Sequence, residues 1–443
     1  MKKIQVLMLG WEFPPVISGG LGIACYGLGK HLSKLVDLTL ILPKTDPKFL
    51  MEKTNILGLN NIDLDNLISP KMVEKTIPTA TLRSIEQTIE IDPYYFEKNI
   101  LKEVHTSVVT ERIRLGKIID NESESNLFEK EELYGEGLIN RVIMYSKYVQ
   151  ELAEDLEFDI IHAHDWMTYL AGLDIKKRTG KPLVLHVHSL DYDRAGADSR
   201  GWVFDLERHA LHQADLVIPV SHYTGNILSN HYGLKQDKLL PVHNGIEPLK
   251  AFKRKKKFPE KMVLFLGRIT GQKGPEYFLN IANKVYKDYK EVRFVVAGNG
   301  DKLKFMIEDG AFKQLGHRIH FTGFITRDKV HELLAMTDVY CMPSISEPFG
   351  LTALEAAQFN VPVVLSERSG VAEVLTSALS ADFWDVDKMA NHIVSLLKDD
   401  KLHQQKVTEA QTELADLNWG NAAAKVFKAY QKILNVKKQL AVV

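Results

Sequence analysis

Cysteine is almost missing from this chain of 443 residues: only Cys25 and Cys341 occur, far apart and without partners at metal-ligand spacing. A disulfide framework is excluded, and a reducing cytoplasm is the expected compartment. No stretch approaches the ~20 consecutive apolar residues needed to span a bilayer, so no integral membrane association is expected. The apolar start, Ile4 to Leu9, is short and runs into Trp11-Glu12-Phe13-Pro14-Pro15 where a signal peptide would carry small residues. It reads as a first buried strand. An excess of either charge is also lacking, with 56 Lys plus Arg against 57 Asp plus Glu and a net charge of −1. That balance argues against a nucleic-acid partner. Neither the G-x-G-x-x-G fingerprint nor a P-loop is found, and no internal repeat or low-complexity tract is evident.

What the chain does have is a series of short apolar runs bounded by glycine or polar residues. Ile4 to Leu9, Leu38 to Leu42, Ile160 to His162, Leu183 to His188 and Leu216 to Val220 form one set; Met262 to Leu266, Arg293 to Ala297, Ile319 to Phe321, Val339 to Met342 and Val361 to Leu365 form another. Several are followed by segments with helical spacing of apolar residues, such as Ala24 to Leu35, Glu276 to Asp288 and Ala353 to Phe359. Alternating strands and helices predict an α/β protein with parallel sheets and right-handed crossovers. The length exceeds what one core supports, so two domains are expected. The basic run from Pro248 to Lys257 separates the sets and reads as an exposed linker, with a membrane or polyanion contact as the other reading. The expected domains are therefore 1–248 and 249–417, with a terminal helix at about 418–443. Residues from about Lys44 to Glu132 are charged and irregular and read as an insertion in the first domain.

Three segments carry phosphate chemistry. Ser18-Gly19-Gly20-Leu21-Gly22 lies between the first strand and first helix, where glycines let backbone amides approach an anion. Gly267-Arg268-Ile269-Thr270-Gly271-Gln272-Lys273-Gly274 follows the first strand of the second set. Its Arg can grip a diphosphate by a forked pair of hydrogen bonds and its Lys as a point charge. Cations held there would stabilise negative charge as it accumulates on a departing phosphate. In Ser346-Glu347-Pro348-Phe349-Gly350-Leu351-Thr352-Ala353-Leu354-Glu355, the amides of Gly350, Leu351 and Thr352 open a helix and can face a phosphate. Glu355, about two turns inside that helix, can accept the hydroxyls of a ribose.

These elements, in this order, resemble the large group of retaining glycosyltransferases with the GT-B fold: two Rossmann-like domains whose parallel sheets face each other across an interdomain cleft. The resemblance covers nearly the whole chain outside the Lys44 to Glu132 region. The Glu347-x7-Glu355 pattern is specific to that group. The arrangement from Arg268 to Gly274, together with Gly350-Leu351-Thr352, His162-Ala163-His164-Asp165-Trp166 and Asn244-Gly245, looks most like glycogen and starch synthases. The resemblance implies that Arg268 and Lys273 hold the donor diphosphate, Glu347 contacts the transferred sugar and Glu355 the ribose. It places His164 on the sugar's 6-hydroxyl or a nearby backbone group, Asn244 close to the same ring, and Gly19 and Gly20 against the diphosphate. It also implies transfer of glucose from ADP- or UDP-glucose to an α-1,4-glucan, with retention at the anomeric carbon and neither cofactor nor essential metal. A small sugar, sugar phosphate or lipid acceptor is the alternative. One departure is Ile17, which stands where glycogen synthases commonly carry a Lys.

Two histidine pairs leave other chemistry open. His162 and His164 are two apart, as are His186 and His188, and alternate residues of a strand share a face. Such pairs can ligate zinc, as in a metal-dependent hydrolase, or line a cleft as hydrogen-bond donors; no cysteine spacing or carboxylate cluster accompanies them. A non-catalytic nucleotide-sugar binder is a further alternative, against which the intact Glu347 and Lys273 speak.

Overall fold

The computed structural model describes residues 3–16, 19–62, 64, 128, 133–135, 137–249, 256 and 258–440. The bulk of the Lys44 to Glu132 region, Ile17 and most of the basic run thus lie outside the described residues. The chain divides into two compact units. Unit 1 comprises Met1–Pro219, Gly225–Val242 and Ala422–Val443, and unit 2 comprises Val220–Thr224 and His243–Asn421. The main change of unit falls at Val242/His243, just before the Asn244-Gly245 pair and ahead of the basic run where the sequence suggested it.

Unit 1 contains a six-stranded sheet of β1 (Gln5–Leu9), β2 (Asp37–Leu42), β3 (Thr54–Gly58), β4 (Ile160–His164), β5 (Leu183–Val187) and β6 (Leu216–Pro219). They pair in the order β3-β2-β1-β4-β5-β6, all parallel. Unit 2 repeats this plan with β7 (Lys261–Leu266), β8 (Val292–Ala297), β9 (Ile319–Gly323), β10 (Val339–Met342), β11 (Val363–Ser366) and β12 (Leu379–Ala381). Its order, β12-β11-β10-β7-β8-β9, is the same one read from the other edge. Both are doubly wound Rossmann-type sheets, and in each the strand order reverses once, between β1 and β4 and between β7 and β10.

The strands read as near-continuous apolar runs because both sheet faces are covered. Along β7, Val263 and Phe265 enter one core with Phe278, Phe294 and Ile393, while Met262 and Leu264 enter the opposite core with Tyr340, Leu354 and Leu365. A fully buried side chain of this size contributes roughly 1.5–3 kcal/mol, so these two layers supply most of the unit's stability.

Two strands, β3 and β12, carry no strand signal in the sequence. Both are edge strands; β3 is only partly buried, and β12 has three residues, so neither presents the buried run that marks the central strands. Thr54–Gly58 falls inside the segment read as an irregular insertion; it is part of the sheet, paired with β2 from Leu38↔Thr54 to Leu42↔Gly58.

Candidate functional site

In open α/β sheets ligands bind beyond the carboxyl ends of the strands where the order reverses. In unit 2 that point lies between β7 and β10, and the loops following those two strands carry Arg268, Lys273 and Glu347. They are tied together by their backbones and side chains. Gln272 accepts the Ile345 amide through its carbonyl (2.9 Å) and donates through its side chain to the Ser346 carbonyl (3.0 Å). Gly274, at φ 66°, lies so close to the Pro343 carbonyl that a Cβ would come within 2.1 Å of it. The seating requires glycine.

In this setting the Lys273 ammonium forms an ion pair with the Glu347 carboxylate, which also accepts the Ser344 hydroxyl at 3.3 Å. Glu347 is 6% exposed, and its backbone is fixed on both sides: its amide donates to Arg368 (2.9 Å) and its carbonyl accepts Gly370 (2.9 Å). Arg268 is half-buried on the same β7 loop as Lys273. The structure thus brings Lys273 into contact with Glu347 and places Arg268 on the loop between β7 and Lys273.

Gly350 is the N-cap of the helix Leu351–Gln358, with φ 110°. The first amides of any helix lack intrahelical acceptors, so those of Leu351 and Thr352 are available donors. The Thr352 hydroxyl is taken up by the Tyr340 phenol at 2.7 Å, which also reaches the Leu266 carbonyl at 3.3 Å. Burial holds the Tyr340 phenol well above the usual tyrosine range, and both Glu347 and Glu355 add to the rise. Tyr340 therefore stands in the field of both acidic residues. Burial raises the Glu355 carboxyl too, and Arg327, at the start of the helix Arg327–Leu334, opposes the rise. Tyr340, Ser344 and Arg327 gave no functional signal in the sequence, where Tyr340 reads as one more residue of an apolar strand.

Asn244 is buried in unit 2. Its neighbour Gly245 packs on the chain entering the last helix; a Cβ there would lie 2.3 Å from the Trp419 amide nitrogen. The Gly298-Asn299-Gly300 loop after β8 is locked onto the β7 loop, with the Ile269 amide donating to Asn299 (2.9 Å) and Gly298 too close to the Gly267 carbonyl for any side chain.

Unit 1 has its own reversal point, between β1 and β4. Gly19 caps the helix Gly20–Leu32, and its amide donates to the Glu12 carboxylate at 3.1 Å. One donor expected to face an anion thus meets a carboxylate of its own chain. His164 ends β4 and is fully buried, with Nδ1 2.9 Å from His188 Nε2. Burial, then the neighbouring His162 and His188, hold its pKa well below the usual histidine range. Asp165 follows with φ 58°, an uncommon conformation for a residue with a side chain. Its carboxylate accepts the amides of His188 (2.7 Å) and Ser189 (3.2 Å), and burial pushes its pKa up to about 7 against those hydrogen bonds.

Two matched families agree with this geometry: "Glycosyl transferases group 1" over residues 248–413 and "Glycosyltransferase Family 4" over residues 122–248. The chain is 30% identical over 298 residues to an uncharacterized glycosyltransferase of Methanocaldococcus jannaschii, covering 62% of this chain and 75% of that protein. The chain is a GT-B glycosyltransferase of the family 4 type. A glycogen synthase of Mycobacterium tuberculosis is 22% identical to this glycosyltransferase over 441 residues, spanning 96% of this chain and 94% of that one. Among solved structures, a sucrose-phosphate synthase from Thermosynechococcus elongatus superposes with a TM-score of 0.70 at 17% identity, over 98% of this chain and 100% of that one. The glycosyltransferase uses a nucleotide-sugar donor, which sets aside the metal-dependent hydrolase and the non-catalytic binder. No helix among the described residues is long and apolar enough to cross a membrane.

Proposed function

We propose that this glycosyltransferase moves glucose from ADP- or UDP-glucose to the non-reducing end of an α-1,4-glucan, with retention and without a cofactor. The observation that carries the reading is the Lys273–Glu347 ion pair at the reversal point of unit 2. The near full-length similarity to a glycogen synthase favours the glucan over the other acceptors.

In this reading Lys273 and Arg268 hold the donor diphosphate. A diphosphate carries more charge than one carboxylate and competes with Glu347 for the Lys273 ammonium. Glu347, released from Lys273 but fixed by its backbone, then takes hydroxyls of the transferred sugar. The Leu351 and Thr352 amides, with Gly350 giving the backbone access, add neutral donors to the phosphate. His164, kept neutral, offers Nε2 to the sugar's 6-hydroxyl, with Asn244 near the same ring and Gly19 and Gly20 near the diphosphate. As the bond to the anomeric carbon breaks, the fixed cations meet the growing phosphate charge, and that phosphate accepts the acceptor's proton.

Incubation with each common nucleotide sugar, against glycogen, maltose, glucose 1-phosphate and a lipid acceptor in turn, tests the assignment through nucleoside diphosphate release. Turnover is expected with ADP- or UDP-glucose and glycogen. Turnover only with a sugar phosphate or lipid overturns the glucan acceptor, and turnover with no hexose donor overturns the donor.

Glu355 supplies a pH prediction. Its carboxylate binds ribose hydroxyls only when ionised, and its pKa is raised by burial. Nucleoside diphosphate affinity should therefore weaken as pH falls, starting above the ordinary glutamate range. In Glu355→Gln the affinity should be lower at neutral pH, and this component of its pH dependence should vanish. Titration calorimetry of both proteins from pH 8 to pH 5, with the wild-type difference taken at each pH, isolates the step. Parallel curves would remove Glu355 from the ribose.

A further inference from the structure

We propose that unit 1 contains a binding site for a divalent transition metal of the zinc class, formed by the imidazoles of His162, His164 and His186. The parallel pairing of β4 with β5 puts His164 opposite His186, and the two-residue spacing brings His162 and His188 onto the same face. The rings stack: centroids lie 4.4 Å apart for His162 and His164, 5.0 Å for His164 and His186, and 5.3 Å for His162 and His186. One ring nitrogen from each of the three lies within 4.8 Å of the others. Nitrogens sharing a tetrahedral zinc at bonds of about 2.05 Å are roughly 3.3 Å apart. His162 Nε2 and His186 Nδ1 are hydrogen-bonded at 3.3 Å, and an ion between them would take the place of the shared proton.

The polar accounting points to an ion. His162 and His164 are fully buried and His186 is 2% exposed. Among the described residues, Nε2 of His164 meets no hydrogen-bonding partner. A buried polar atom without a partner is costly and rare, and an ion is one of its standard explanations. Outer partners fix two of the rings, as they do around known metal centres. The Tyr430 hydroxyl lies 2.5 Å from His162 Nδ1, and His188 Nε2 lies 2.9 Å from His164 Nδ1, so Nε2 of each remains as the ligand atom.

The ion takes no part in the transfer reaction, but its site shares His164 with it, and one consequence rests on the function proposed above. Metal on His164 Nε2 and a sugar hydroxyl on the same atom exclude each other, so loading should inhibit transfer.

The test uses untagged full-length protein, stripped with a chelator and titrated with Co2+ in the absence of any sugar nucleotide. One equivalent per chain should give saturable visible d–d bands, displaced by Zn2+, and Zn2+ should raise the thermal midpoint in a way a chelator reverses. His186→Gln, checked for native circular dichroism, should lose the bands. Should that variant not fold, His162→Gln and His243→Gln decide: bands lost only in His243→Gln place the ion on His222, His243 and Glu373 and overturn the site. Absence of saturable binding overturns the site. So does a thiolate charge-transfer band that Cys25→Ser abolishes, since it would place the ion on Cys25, His164 and His188 instead. Binding is read without turnover, so its failure leaves the transferase reading untouched, and failed turnover leaves the metal result standing.

Discussion

Lys273→Ala should lower kcat by about 10²- to 10³-fold, equivalent to roughly 2.7–4 kcal/mol of transition-state stabilisation, the scale for losing one fixed electrostatic contact to a developing anion. The effect should fall mainly on kcat, because phosphate charge increases as the bond to the sugar breaks and the contact therefore strengthens in the transition state. Lys273→Arg should recover only part of the rate, since a planar fork does not reproduce a compact point charge in a slot shaped by Gly274 and Pro343. Lys273 and Glu347 touch, so their substitutions should not add. Glu347→Gln should cost less in the Lys273→Ala background than in the wild type, because each change already breaks the pair. Steady-state kinetics on the two single variants and the double variant, with circular dichroism as a folding control, measures the coupling. Retention of more than a third of the wild-type kcat by a folded Lys273→Ala would remove Lys273 from the phosphate.

Much of this arrangement was legible in the sequence for a definite reason. Parallel sheets covered on both faces require buried runs such as Met262 to Leu266, and the crossovers require helices between them, so the α/β pattern shows in the order of residues alone. Thr54–Gly58, only partly buried, and Leu379–Ala381, three residues long, present no such run and do not stand out. The phosphate-type loops were recognisable from glycine beside Arg268 and Lys273. Their contact with Glu347, across 74 residues of chain, was not derivable from local pattern. It exists because β10 crosses back to lie beside β7, a fact of topology. Tyr340 was hidden by its own role as a strand residue: its ring fills the core while its hydroxyl emerges between Leu266 and Thr352. The histidine pairs were visible, but the stacking of all four rings depends on the β4–β5 register.

A buried ion pair beneath the β5 loop carries the second large effect. Glu207 and Arg194 are almost fully enclosed, and their side chains meet at 3.2 Å. The Glu207 carboxylate also accepts the Asp191 amide (3.0 Å) and the Tyr232 hydroxyl (2.6 Å). Burial pushes its pKa up to about 8, against the opposing pull of Arg194. Glu207→Ala should destabilise unit 1 by about 3–5 kcal/mol, because a buried guanidinium loses this carboxylate and two further donors lose their acceptor. Glu207→Gln should be milder, since its carbonyl oxygen can still accept while the charge is lost. Urea unfolding followed by tryptophan fluorescence reads the change, because Trp11, Trp166 and Trp202, three of the five tryptophans, belong to unit 1. The damage should extend to the site. Arg194 holds the Ser189 hydroxyl at 3.0 Å, and the Ser189 and His188 amides hold Asp165 in its unusual conformation beside His164. At temperatures where Glu207→Ala remains folded, a rise in donor KM with a smaller change in kcat would mark loosened positioning, whereas a loss of stability under 1 kcal/mol would show that the pair supports little of unit 1.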